Sequence, residues 1–137
     1  MDISTWPVGY SKFLRVFSAF THSDLALVLF QYLFLEAAIF CFIFTLMYFL
    51  KPGRVVLYIL MAFAVFNPLL LFMSNYVSAD TLFTGLSLLW LSSLVGMLYV
   101  ADRRLIWAHA VLLVLCFVVR HNALYYPFVS LVAFFYF

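Results

Sequence analysis

"LALVLFQYLFLEAAIFCFIFTLMYFL", residues 25–50, decides the fold of this chain, and Glu36 is its only charged residue. At about 1.5 Å rise per residue, a helix over this stretch is about 39 Å long. That exceeds the roughly 30 Å hydrocarbon core of a bilayer and allows for tilt.

The remaining sequence has the same character. The 137 residues are 69% hydrophobic and 22% aromatic, with 9% charged and a mean hydropathy of +1.21. A soluble domain carries roughly 25% charged residues, enough to cover its surface. This chain cannot do that. The expected fold class is all-α, a polytopic membrane helix bundle forming a single transmembrane domain over residues 1–137. The net charge of +2 and the lack of a basic run argue against a nucleic-acid partner. "MDISTWPVGY" has no basic start followed by an apolar stretch, so it does not read as a signal peptide. Cys41 and Cys116 each lie inside an apolar run without metal-ligand spacing and read as membrane-buried thiols.

Four transmembrane helices are expected, over residues 25–50, 55–73, 81–100 and 105–122, with a truncated fifth over 123–137. The connections are short: "KPGR" (51–54), where Pro and Gly break the helix, "SNYVSAD" (74–80) and "ADRR" (101–104). Residues 1–24 read as an outer loop with an interfacial amphipathic helix. Phe13, Leu14, Val16, Phe17 and Phe20 share its apolar face, and Thr21 with Asp24 fits a capping box for the next helix. "AFFYF" ends the sequence without a polar flank, which would leave helix carbonyls unsatisfied in lipid. The expectation is a piece of a longer protein.

Counting crossings puts KPGR and ADRR on one side. The N-terminal region, SNYVSAD and Arg120 fall on the other. Lys51, Arg54, Arg103 and Arg104 face Lys12, Arg15 and Arg120, so the positive-inside rule makes the first side cytoplasmic. The short turns on that side agree with this.

Polar residues in such a chain are the candidates for chemistry. Asp80 opens the third long helix, where an acid either caps the N-terminus or faces a substrate or basic partner. Asn75, Tyr76 and Ser78 add hydrogen-bonding groups beside it. Arg120, His121 and Asn122 interrupt "CFVVRHNALYYP" on the same side. An arginine near a helix end can snorkel to the headgroups, and its planar fork of donors also suits a lipid phosphate. An Asp80–Arg120 ion pair would satisfy both readings. Glu36 lies near mid-membrane, either as a functional acid or hydrogen-bonded to Tyr32 one turn back. His109 reads as a packing or interface residue. Asn67-Pro68 predicts a kink. Thr81, Gly85, Ser92 and Gly96 share one narrow face that favours close helix packing. No Ser/His/Asp pattern, phosphate-binding Gly loop or zinc spacing is present in the sequence.

Three stretches resemble the GT-C superfamily of membrane glycosyltransferases, in particular the protein O-mannosyltransferase-like and lipid A aminoarabinose transferase-like enzymes. "WPVGYSKFL" is similar to their outer-loop motif of an aromatic residue, Pro, any residue, Gly and Tyr. "FNPLLLFMSNYVSADTLFTGLSLLWL" resembles their later order of Pro, outer loop and Asp-opened helix. "VVRHNALYYPFV" is similar to a polar-rimmed segment of bacterial members. The resemblance implies a transferase of the bacterial inner membrane that moves a sugar from a polyprenyl-phosphate donor to an acceptor outside the cytoplasm. A divalent metal is a possible cofactor of such an enzyme. Asp80 matches the family's acid at the second outer loop, and Arg120 would contact phosphate. Asn75, His121 and Asn122 complete the candidate substrate-binding set. The family's catalytic acid lies in the first outer loop, within which this chain opens. Asp2 is not equated with it, so the catalytic residue is expected upstream and the 137 residues alone are expected to be inactive. Two other readings stand beside this one. A small non-enzymatic membrane subunit would use the polar residues as caps and partner contacts. A transporter fragment would use Glu36 and the Asn67-Pro68 break.

Overall fold

The computed structural model describes residues 8–20, 22–75, 79–100 and 102–136. Among them there are helices and no strand. Seven α-helices follow in chain order: α1 (Val8–Phe20), α2 (Asp24–Leu50), α3 (Arg54–Phe66), α4 (Pro68–Asn75), α5 (Ala79–Tyr99), α6 (Arg103–Val119) and α7 (Tyr126–Tyr136). A short 3₁₀ turn, His121–Tyr125, joins the last two.

Three stretches are long and apolar enough to cross a membrane: Asp24–Leu50, Arg54–Asn75 and Ala79–Tyr99. The helix α6 has 17 residues, about 26 Å by helical rise. It stops at Val119 because Arg120 is extended, with φ −152° and ψ 132°. The expected fourth span over residues 105–122 therefore ends earlier as a regular helix, and the chain turns through the 3₁₀ segment before α7.

The breaks follow from local chemistry. Lys51 takes a left-handed conformation, φ 47°, at the C-terminus of α2, and Pro52 then prevents continuation. Pro68 lacks an amide hydrogen, so the run over 54–75 divides at an extended Asn67. The Asn67 side chain compensates by accepting from the Leu69 amide at 3.0 Å. This is the expected kink. Asp102 caps α6 by accepting from the Arg104 amide at 3.0 Å. At the start of α2 the capping position belongs to Ser23. The expected Thr21–Asp24 capping box does not set this boundary, and Thr21 itself lies outside the described residues.

At the centre of the bundle, α5 packs most extensively against α2 and α6. Thr81, Gly85, Ser92 and Gly96 are all buried, which bears out the small-residue face. A Cβ at Gly85 would lie 2.5 Å from Cε1 of Phe34, so the glycine lets α2 and α5 approach. The core gathers Leu82, Leu86, Trp90 and Leu94 of α5 with Cys116 and Val119 of α6. It also takes in Tyr10 of α1 and Ala123 of the 3₁₀ turn.

The first helix packs at the Asp80 end of the bundle, where it meets α6 and α2. A Cβ on Gly9 would come within 2.3 Å of the Val118 carbonyl oxygen, so only glycine fits this crossing of α1 over α6. The expected single apolar face of α1 divides. Phe13, Leu14 and Phe17 pack inward, while Val16 and Phe20 are exposed beside Lys12 and Arg15. Both faces suit a helix seated between a bundle and headgroups.

Candidate functional site

Asp80 lies in the first turn of α5, where the helix dipole favours an acid. Arg120 follows the last residue of α6. The extended backbone of Arg120 directs it across the top of the bundle, and its guanidinium forms an ion pair with the Asp80 carboxylate. The guanidinium carbon also lies 5.7 Å from the centre of the Phe83 ring, one turn below Asp80. That distance is within cation–π range. Both charged side chains are about half exposed, at 42% and 51%. An ion pair this open contributes at most about 1 kcal/mol to stability. The site therefore presents a fixed guanidinium, held between a carboxylate and an aromatic ring and open to solvent or headgroups.

The other predicted site residues are not drawn into this pair. His121 is exposed on the 3₁₀ turn, its ring in an edge-to-face arrangement with Phe117, centres 5.8 Å apart. Asn122 is exposed on the same turn. Asn75 ends α4 and lines a separate, largely apolar groove with Leu25, Leu29, Tyr32, Phe72 and Ser74. Tyr76 and Ser78 fall outside the described residues, as do Asp2, Trp6 and Pro7. Glu36 has Tyr32 beside it one turn back, as the structural alternative for that acid expects. Among the described residues no three His, Cys, Asp or Glu side chains gather as a metal site. With the Asp80 carboxylate engaged by Arg120, the donor set here does not amount to a metal centre.

Tyr10, on the α1 residue next to Gly9, is buried beneath this rim, and its hydroxyl accepts a 2.9 Å hydrogen bond from the Gln31 amide of α2. Burial raises the Tyr10 phenol above its usual range, and the Gln31 bond partly offsets this. The phenol is therefore neutral at physiological pH. The same motif thus supplies a glycine for close approach and a tyrosine that ties α1 to α2.

A second polar group lies deeper, between α5, α6 and α7. His109 is buried, with Nδ1 3.0 Å from Ser93 Oγ and Nε2 3.1 Å from Ser130 Oγ. Trp90 stacks on Tyr126 with ring centres 4.2 Å apart, and the Tyr126 hydroxyl lies 2.7 Å from Ser87 Oγ. His109 is thus an internal node rather than a simple packing residue. Sequence reasoning singled out neither Gln31 nor Ser130. Each is a lone polar residue in an apolar run, and such residues must find a partner inside a bundle.

No family model, curated protein or solved structure matches the chain.

Proposed function

We propose that this chain belongs to the helical bundle of an integral membrane glycosyltransferase of the GT-C type. Its rim would bind the phosphate of a polyprenyl-phosphate-linked sugar. In this reading α6 is a fourth crossing, α7 begins a fifth, and the end bearing α1, Asp80 and Arg120 faces away from the cytoplasm in a bacterial inner membrane. The observation that carries it is the half-exposed Arg120, held by Asp80 and Phe83 at the edge of the bundle. A guanidinium at headgroup height is suited to a lipid phosphate, because its parallel donors match two phosphate oxygens. The pair adds little stability, so exchanging the Asp80 carboxylate for a phosphate costs the fold little.

Arg120 would orient the phosphate and favour its departure as charge develops on it. Asp80 would keep the guanidinium in place and stay near the substrate once displaced. Neither is the general base of the reaction, whose acid the resemblance puts in the first outer loop.

The test is equilibrium binding of a short polyprenyl phosphate and of the matching polyprenol to the full chain in lipid nanodiscs. The phosphate is expected to bind the wild type more tightly than the alcohol. Arg120→Ala should weaken phosphate binding by roughly tenfold or more, the worth of a hydrogen-bonded charge. Arg120→Lys should recover only part, because the ammonium lacks the fork. Equal binding of phosphate and alcohol by the wild type would overturn the reading.

A further inference from the structure

The protons around His109 can be counted, and the count points beyond packing. A serine hydroxyl carries one proton to donate and can accept as well. Ser93 Oγ lies 2.7 Å from the Trp90 carbonyl oxygen, which can only accept. This is the shorter of the two serine–carbonyl bonds, and with the Ser93 proton held by Trp90, Ser93 accepts from His109 Nδ1, 3.0 Å away. Ser130 Oγ lies 3.1 Å from the Tyr126 carbonyl oxygen and 3.1 Å from His109 Nε2. If Nε2 carries only a lone pair, two acceptors compete for the single Ser130 proton. If Nε2 is protonated, it donates to Ser130, and Ser130 donates to Tyr126. The neutral ring thus supports three hydrogen bonds at once and the imidazolium four, two of them charge-assisted. The Trp90 ring centre is 5.7 Å from that of the imidazole, close enough to attract the cation.

We propose that His109 is an intramembrane proton-binding site whose occupancy tightens α7 onto α5 and α6. The outer face of α7 is exposed at Leu131 and Phe135, so little apolar packing restrains it there. Among the described residues, its side-chain hydrogen bonds to other helices are Ser130–His109 and Tyr126–Ser87. Of the two, only the first contains a group that ordinarily titrates near neutrality.

Of the titratable groups at this node, Tyr126 of α7 and Cys116 of α6 are neutral when protonated, while the nearest fixed charges along α6 are Arg104 and Arg103, five and six residues before His109 or about 8 and 9 Å by helical rise, and they oppose the imidazolium. The acid on α5 is Asp80, thirteen residues from Ser93, or about 20 Å along the helix, and it is paired with Arg120. Burial opposes the cation, while the two serine acceptors and the indole face favour it. The sign follows from the bond count: the latch strengthens as pH falls through the His109 midpoint and loosens as pH rises.

The sequence has three histidines, so a His22→Gln, His121→Gln background leaves His109 alone. In that background, ¹⁵N NMR of the full chain in nanodiscs should show both imidazole nitrogens protonated at the acid end of a range from about pH 5 to 9. Nε2 should lose its proton first. Ser130→Ala should shift that midpoint to lower pH by about one unit, because a charge-assisted bond is lost. Spin labels on Leu98→Cys and Val132→Cys, which flank the α5–α7 groove, would report the latch in a variant lacking Cys41 and Cys116. Their distance distribution should be narrow at low pH and broader at high pH. His109→Phe should give the broad distribution at every pH. A single neutral tautomer throughout, or a distribution insensitive both to pH and to His109→Phe, would overturn the proposal.

Discussion

The spans Arg54–Asn75 and Ala79–Tyr99 are both long enough to cross a bilayer, yet they relate to the bundle in opposite ways. The first has 12% of its most apolar window buried inside the protein and the second 50%. The first is also the more apolar of the two. Tyr58, Ile59, Phe63 and Phe66 of α3 are exposed, while Thr81, Gly85, Ser92, Ser93 and Gly96 of α5 are buried. This inverts the pattern of a soluble protein. Lipid accepts apolar side chains as readily as a core does, so apolarity does not select the inside. Close backbone approach and hydrogen bonding do, and small and hydroxyl-bearing residues supply both.

Substitutions in α5 should therefore cost far more than the same substitutions on lipid-facing helices. The largest effect is expected at Trp90, which is 4% exposed and stacked on Tyr126. Trp90→Ala should remove about 3–5 kcal/mol of stability, read from unfolding in mixed detergent micelles. Trp90→Phe should cost less, because the buried indole nitrogen has no hydrogen-bond partner to lose. The comparison residue is Trp107 on α6, 73% exposed. Trp107→Ala should fall within about 0.5 kcal/mol of wild type. Equal costs at the two tryptophans would break the distinction between positions inside the bundle and positions facing lipid.

Next come the glycines. Gly85→Ala drives a methyl into the Phe34 ring, which can rotate, so a loss of about 1–3 kcal/mol is expected. Gly9→Ala meets backbone at Val118, which cannot step aside. It should release α1 while leaving α2 and α5 packed, seen as protease cleavage within residues 8–20 that wild type resists. Gly53 has nothing within 4 Å of its would-be Cβ, and Gly53→Ala should change neither measurement.

The sequence made part of this contrast visible. The Asn67-Pro68 break, the small face of α5 and the pairing of Asp80 with Arg120 could all be read from residue type, spacing and crossing parity. Which residues meet across helices could not. Ser93, His109 and Ser130 come from three helices, and their meeting depends on the rotation of each helix about its axis. In a soluble protein an amphipathic pattern reports that rotation, but a helix apolar on every side gives no such signal. The site was legible at the rim for the same reason it failed deeper down. Long charged side chains at helix ends can meet once their height is known, whereas lone polar residues inside a helix, such as Gln31 and Ser130, need a known direction as well.

A smaller effect separates the two partners that tie α1 to α2. Tyr10→Phe leaves the buried Gln31 amide without its partner, and its Oε1 already has none. That should cost about 1–3 kcal/mol. Gln31→Leu removes the orphaned oxygen together with the donor and should cost less than Tyr10→Phe. The double variant should be closer to wild type than the sum of the singles, as expected for residues in direct contact. The pH dependence follows from the raised Tyr10 phenol. Its contribution to α1 docking is complete below the ordinary tyrosine range near 10 and is lost as pH rises through the higher folded value. Gln31→Leu removes the bond that lowers the phenol and should move that loss to still higher pH.

The smallest effect is expected on α3, where the comparison becomes most exacting. Phe63 is 61% exposed on the helix that contributes least to the interior. Phe63→Leu keeps an apolar surface toward lipid and opens no cavity, so stability in nanodiscs should stay within about 0.5 kcal/mol of wild type. Phe63→Asn keeps a moderate side-chain size but sets an amide in hydrocarbon, where unsatisfied polar groups are costly. If this face meets lipid, the asparagine variant should be clearly destabilised and the leucine variant should not. If both are tolerated, the face is wet. If both are destabilised, it packs against another protein helix, and the contrast between Arg54–Asn75 and Ala79–Tyr99 would be one of assembly rather than of lipid against core.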